Sequence, residues 1–123
     1  MILIIGGYGA GKREYVIDEL GYSEAEIADA ELNEFPVLIN LDEYMRTYEI
    51  NIGDERYEAL LSKEVITCAE IGNGIVPLDK SERDYRENVG RLCIELAKNA
   101  EKVIRIYCGI PTVLKGENKE KND

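Results

Sequence analysis

The apolar residues of this chain fall into short continuous runs, separated by stretches in which they recur every third or fourth position. Met1-Ile2-Leu3-Ile4-Ile5 is such a run, as expected of a strand covered on both faces. Gly6-Gly7-Tyr8-Gly9-Ala10-Gly11-Lys12 follows, then a helical stretch to about Leu20, closed by Gly21. Ser23-Glu24-Ala25-Glu26 has capping-box spacing and predicts a short second helix from Ser23. After Pro36, Val37-Leu38-Ile39-Asn40 reads as the second buried strand. Residues 42–62 predict two helical pieces with a break near Asn51-Ile52-Gly53. Val65-Ile66-Thr67-Cys68 is a third strand, and residues 70–77 form the loop after it. Ser81 is the expected cap of the clearest helix, where Tyr85, Val89, Leu92, Cys93, Leu96 and Ala100 make one apolar stripe. Val103–Tyr107 is the last predicted strand, and the tail 116–123 is polar, charged and expected to be disordered.

Strands alternating with helices predict an α/β fold: three layers around a small, mostly parallel sheet with right-handed crossovers, in a single domain over 1–115. Ligands of such sheets bind at the carboxyl ends of the strands. The glycine loop, Asn40, Glu70 and the segment after Tyr107 are all expected at that edge.

Composition narrows the function. The chain has 123 residues, enough for one core, and a net charge of -10 from 25 acidic and 15 basic side chains. Its average field repels a polyanion, so nucleic acid is not an expected partner. A phosphate ligand requires a locally positive pocket of backbone N–H groups and a few cations. No run approaches the roughly 20 apolar residues of a membrane span. The apolar start has no basic leader, so a cytoplasmic protein without a membrane partner is expected. Cys68, Cys93 and Cys108 are odd in number and widely spaced, and read as buried thiols rather than a disulfide framework or zinc site. No histidine occurs, which removes His-based nucleophiles, proton shuttles and most transition-metal sites.

The chemistry is carried by Gly6-x-x-x-x-Gly11-Lys12, which has phosphate-loop spacing between a buried strand and a helix. Glycines let successive N–H groups converge on phosphate oxygens. Lys12 is placed to neutralise the terminal phosphates and to follow charge as it develops during transfer. Gly6, Gly7, Tyr8, Gly9, Ala10, Gly11, Lys12 and Arg13 are therefore the expected nucleotide-binding residues, with ATP or GTP as ligand. Arg13 stands where a Ser or Thr usually holds Mg²⁺, and a guanidinium cannot ligate a metal. It either touches a phosphate or faces solvent. Asn40 stands where a magnesium-orienting carboxylate is expected; Asp42 and Glu43 either substitute for it or simply open the next helix.

MILIIGGYGAGK at the start, EIGNGIVP over 70–77, Arg83 and Arg86 in SERDYR, Gly90-Arg91 and EKVIRIYCGIPTVLK over 101–115 resemble one family. It is the bifunctional adenosylcobinamide kinase/adenosylcobinamide-phosphate guanylyltransferase of cobalamin assembly. The resemblance implies a phosphate-loop NTPase-like fold, phosphorylation of the cobinamide hydroxyl by ATP or GTP, guanylyl transfer through a histidine, and often a trimer. It also implies that Glu70 lies beside the phosphates, orienting metal or acceptor; the alternative is a strand-end carboxylate paired with an arginine. Lys12 and Glu70 are the expected catalytic pair. Arg83 and Arg86 are either phosphate or interface contacts, or partners of Glu82 and Glu87. The chain departs from the family in its middle. The stretch that carries the guanylylated histidine is cut to roughly residues 21–36, and Cys93-Ile94 replaces an Asn-Gln pair. Without a histidine, guanylyl transfer by that route is excluded. Three readings stand: a kinase-only member, a nucleotide-binding module without turnover, or a structural remnant that binds nothing in the loop.

Overall fold

The computed structural model describes residues 1–70 and 79–116. The expected loop beyond Glu70 and the expected disordered tail beyond Gly116 lie outside them. Six strands form one sheet: β1 (Ile2–Gly6), β2 (Ile27–Asp29), β3 (Val37–Ile39), β4 (Val65–Ala69), β5 (Lys102–Tyr107) and β6 (Ile110–Lys115). Their spatial order is β2-β3-β4-β1-β5-β6, with β1 at the centre. All neighbours pair parallel except β5 and β6, which form an antiparallel hairpin.

The helices are α1 (Lys12–Glu14, continued as a π-helical turn over Tyr15–Glu19), α2 (Leu41–Tyr44), α3 (Glu55–Leu61) and α4 (Lys80–Asn99). Alternation along the strands divides the core between the two faces of the sheet, because successive side chains point to opposite sides. Leu3, Leu38, Ile66, Cys68 and Val103 join Leu41, Tyr57, Leu60, Val89, Leu92 and Leu96 of the helices α2, α3 and α4 on one face. Ile4, Val37, Ile39, Val65, Ile104 and Ile106 pack with Val16 of the first helix on the other. This is the expected three-layer α/β arrangement with a mostly parallel sheet.

The Ser23 capping box is formed, with Glu26 accepting from the Ser23 N–H at 3.0 Å. Its helix is a single 3-10 turn, Glu24–Glu26, which runs directly into β2. Ile27-Ala28-Asp29 has a single large apolar residue, so this strand does not register as a run in the sequence. The cap of α4 is Asp79 rather than Ser81: the Asp79 carboxylate accepts from the Ser81 N–H at 2.8 Å, leaving Ser81 inside the first turn. Tyr107 does not end the sheet. Cys108 (φ 52) and Gly109 (φ 76) make a two-residue turn with both φ positive, the geometry that matches strand twist in a tight hairpin. The last strand, β6, that follows is largely exposed and carries Pro111, which suits an edge. The expectation of three buried thiols is corrected by the same turn: Cys68 is buried, Cys93 half-buried and Cys108, in the turn, exposed.

Candidate functional site

The carboxyl edge of the parallel strands gathers the expected residues. Gly6 closes β1, Asn40 follows β3, Glu70 follows β4 and the Cys108-Gly109 turn follows β5. Gly6 has no room for a side chain, because a Cβ there lies 2.5 Å from the Ile106 carbonyl oxygen. Gly11 adopts φ 102 with the Gly109 Cα 3.3 Å from where its Cβ would stand. The loop is held from behind by the hairpin turn, since the Gly109 N–H donates to Ala10 O at 2.8 Å. On its other side the Glu70 N–H donates to Gly6 O at 3.0 Å. The turn bearing the glycine loop is therefore fixed to both neighbours of β1.

Residues 8–14 enclose, with Ile39, Asn40 and Thr67, a hollow of about 160 Å³. That is smaller than the roughly 300–1,000 Å³ of drug-sized ligand pockets, and suits the phosphate end of a nucleotide with the base outside. Lys12 is 8% exposed, and its ammonium donates to Gly6 O at 2.9 Å and Gly7 O at 2.7 Å. Burial lowers its pKa, while Asp42, Cys68 and Glu70 oppose that shift. An ammonium folded onto the carbonyls of its own loop can turn to an incoming anion at the cost of two neutral acceptors, exchanging them for charge-assisted bonds.

Asn40 turns the chain from β3 into α2 with a left-handed backbone (φ 59, ψ 49), which asparagine tolerates better than most residues. Its N–H donates to Thr67 Oγ1 at 3.0 Å and its amide to Asp29 Oδ1 at 2.7 Å. Asp42 begins the next helix, as one reading of the sequence had it, yet it is fully buried. Its Oδ1 accepts from the Ala69 N–H at 3.0 Å and its Oδ2 from the Tyr8 hydroxyl at 2.9 Å. Glu70 pairs with Arg105 at 3.1 Å while remaining beside the loop. Arg13 lines the hollow, but its guanidinium is held by Glu24 at 2.6 Å. Arg83 and Arg86 lie on α4, outside the residues that line the hollow. Arg83 is exposed, and Arg86 is 3.6 Å from Glu82.

Magnesium finds a poor donor set here. Arg13 and Asn40 are committed to carboxylates, Thr67 Oγ1 accepts a backbone N–H, and both Asp42 oxygens are engaged. Among the described residues no cluster of three or more His, Cys, Asp or Glu side chains is placed to hold a metal. A guanidinium is no ligand for the ion, so the position after Lys12 supplies none.

The family model described as cobinamide kinase/cobinamide phosphate guanyltransferase matches residues 16–114. The chain belongs to that family. The glycine loop itself precedes the matched stretch, so loop and match are separate observations. The family comprises nucleotide-using kinases and transferases of cobalamin biosynthesis, in keeping with the α/β sheet and the phosphate-loop turn described above. A search of curated proteins finds no match. No helix among the described residues is long and apolar enough to cross a membrane.

Three contributors escaped the sequence reading. Gly109 braces the loop, and the signal was available, since a glycine between two apolar runs marks a hairpin. Thr67 lines the hollow from the middle of a strand pattern that reads as core. The bond from Tyr8 to Asp42 spans 34 positions, and neither residue type announces the other.

Proposed function

We propose that this chain binds the phosphates of ATP or GTP in the hollow of residues 8–14 and transfers the terminal phosphoryl group to the hydroxyl of cobinamide. The observation that supports this best is the buried Lys12, folded onto the carbonyls of a loop in which Gly6 and Gly11 leave no room for a side chain. Loop amides hold the nucleotide, Lys12 neutralises the transferred group, and Glu70 borders the site as an orienting carboxylate. Guanylyl transfer through a histidine is no part of this function, because the chain has none. A cytoplasmic setting, no nucleic-acid or membrane partner and, by resemblance, a trimer complete the proposal. Arg83 and Arg86, away from the hollow, fit an interface between copies better than a phosphate contact.

The second reading, a nucleotide-binding module without turnover that serves a regulatory or partner-binding role, is favoured by one observation. Both positions expected to handle magnesium are tied into ion-pair or amide bonds with Glu24 and Asp29. Incubation of the protein with cobinamide and γ-labelled ATP or GTP separates the two. Labelled cobinamide phosphate, absent with Lys12→Ala, supports the kinase. Nucleotide binding without label transfer supports the module.

A further inference from the structure

We propose that Asp42 is the carboxylate that receives the acceptor alcohol, and that the Tyr8 hydroxyl holds that place until the alcohol arrives. The inference rests on the phosphoryl-transfer reading above.

Asp42 is fully buried, and the buried charged groups among the described residues are Lys12, Asp42 and Lys63. Lys63 is accounted for, because its ammonium bonds the Asn33 and Phe35 carbonyls and anchors the chain before β3. Asp42 has no such structural duty on both oxygens. The Ala69 N–H at 3.0 Å fixes Oδ1 from the backbone of the sheet, so the carboxylate is aimed. Oδ2 is satisfied by a side chain from the loop, the Tyr8 hydroxyl at 2.9 Å. Tyr8 is 66% exposed, so most of its ring gains nothing from packing and its hydroxyl supplies the anchor. A phenol and an alkyl alcohol are the same donor to a carboxylate. Burial and Asp42 raise the Tyr8 pKa, which keeps the phenol a donor at neutral pH. Asp42 also acts on Lys12, where it is the foremost influence opposing the loss of the proton.

A second groove is linked through Tyr85 to the backbone of Asp42. The Tyr85 hydroxyl donates to Asp42 O at 2.6 Å, and Tyr85 lines a groove of about 530 Å³ between the end of α2 and the first half of α4. There the Arg46 guanidinium lies 3.6 Å from the Tyr85 ring centroid, locked by both Glu82 oxygens at 2.6 and 3.1 Å. The lining sets Arg46 against Glu49, Glu82 and Asp84, with Asn88, Ser81 and Thr47 beside them. Such a groove takes a neutral or cationic acceptor rich in amides and hydroxyls, and disfavours an anionic one.

In the step, the acceptor O–H donates to Asp42 Oδ2 in place of Tyr8. The alcohol oxygen attacks the terminal phosphorus, and a new O–P bond forms. The bond from that phosphorus to the bridging oxygen breaks, and its electron pair leaves on the nucleoside diphosphate. The alcohol proton passes to Asp42 and then to water.

The test titrates cobinamide into protein saturated with a non-hydrolysable ATP analogue, then follows single turnover with γ-labelled ATP. Tyr8→Phe removes the competitor, so cobinamide should bind about tenfold tighter to the protein saturated with the analogue, the scale of one hydrogen bond to a charged group. Asp42→Asn should slow transfer by about 10²–10⁴-fold, as for loss of a general base, at a temperature where circular dichroism shows it folded. Because Asp42→Asn removes a buried carboxylate and weakens the fold, Tyr8→Phe carries the decision. Cobinamide affinity unchanged or weakened in Tyr8→Phe overturns the inference, as does transfer by folded Asp42→Asn at the wild-type rate. If the wild type binds the analogue but transfers nothing, the phosphoryl-transfer reading falls and takes this inference with it.

Discussion

At Gly6 the sequence and the structure agree for a reason that can be measured. The Cβ of Gly6→Ala would stand 2.5 Å from a backbone oxygen that cannot move aside without breaking the pairing of β1 with β5. Overpacking of this kind costs about 1–3 kcal/mol, so urea denaturation should show that loss together with a weakened response to nucleotide. Lys12 was equally legible, since its role follows from spacing alone. Arg13 was legible only as a departure. Its bond to Glu24 depends on where the next turn brings a carboxylate, which no local pattern records. That bond and the Asn40–Asp29 bond yield a second expectation. The stabilisation of this protein by ATP should change less than about twofold in apparent affinity when Mg²⁺ is replaced by EDTA, well under 1 kcal/mol. A strict requirement for the metal, seen by calorimetry, would show that the donor set rearranges around it.

Among the elements, those with long apolar runs or a sustained stripe were readable: β1, β3, β4, β5 and α4. The strand β2 was not, because Ile27-Ala28-Asp29 offers a single large apolar residue, and β6 was not, because Pro111 and Thr112 interrupt its apolar positions. Capping was half readable. The Ser23 box is local, whereas Asp79 and Ser81 both offer good N-cap chemistry, and the observed geometry selects Asp79. Three carboxylates at helix starts bear on acid stability. Backbone N–H donors hold Asp54 below its usual 3.8, Ser81 does the same for Asp79, and Arg46 holds Glu82 below 4.5. A lowered folded-state pKa contributes stability that is present above the ordinary value and is lost as pH falls through the depressed one. The melting temperature should therefore fall below about pH 4, and Asp79→Asn, which keeps a capping side chain but not the charge, should shallow that slope. In α4, Leu96→Ala removes a side chain with no exposed surface and should cost about 2–5 kcal/mol.

For the whole molecule, the net charge of -10 surrounds a hollow in which a single lysine and a run of amides must attract an anion. The fold meets that demand by tying the glycine turn to its neighbours, through Gly109 on one side and Glu70 on the other, so that little reordering accompanies binding. The architecture could be foreseen from alternating runs. The hairpin glycine could be foreseen too, but not the bracing bonds that it and Glu70 make, because these join residues 99 and 64 positions apart. Thermal unfolding of wild type and Lys12→Ala in rising ATP or GTP is the most direct measurement. A ligand at about 100 times its dissociation constant adds roughly 2.7 kcal/mol, so the wild type should gain several degrees and the variant almost none. A wild-type melting temperature that does not move at millimolar nucleotide, or moves equally in Lys12→Ala, would contradict the account.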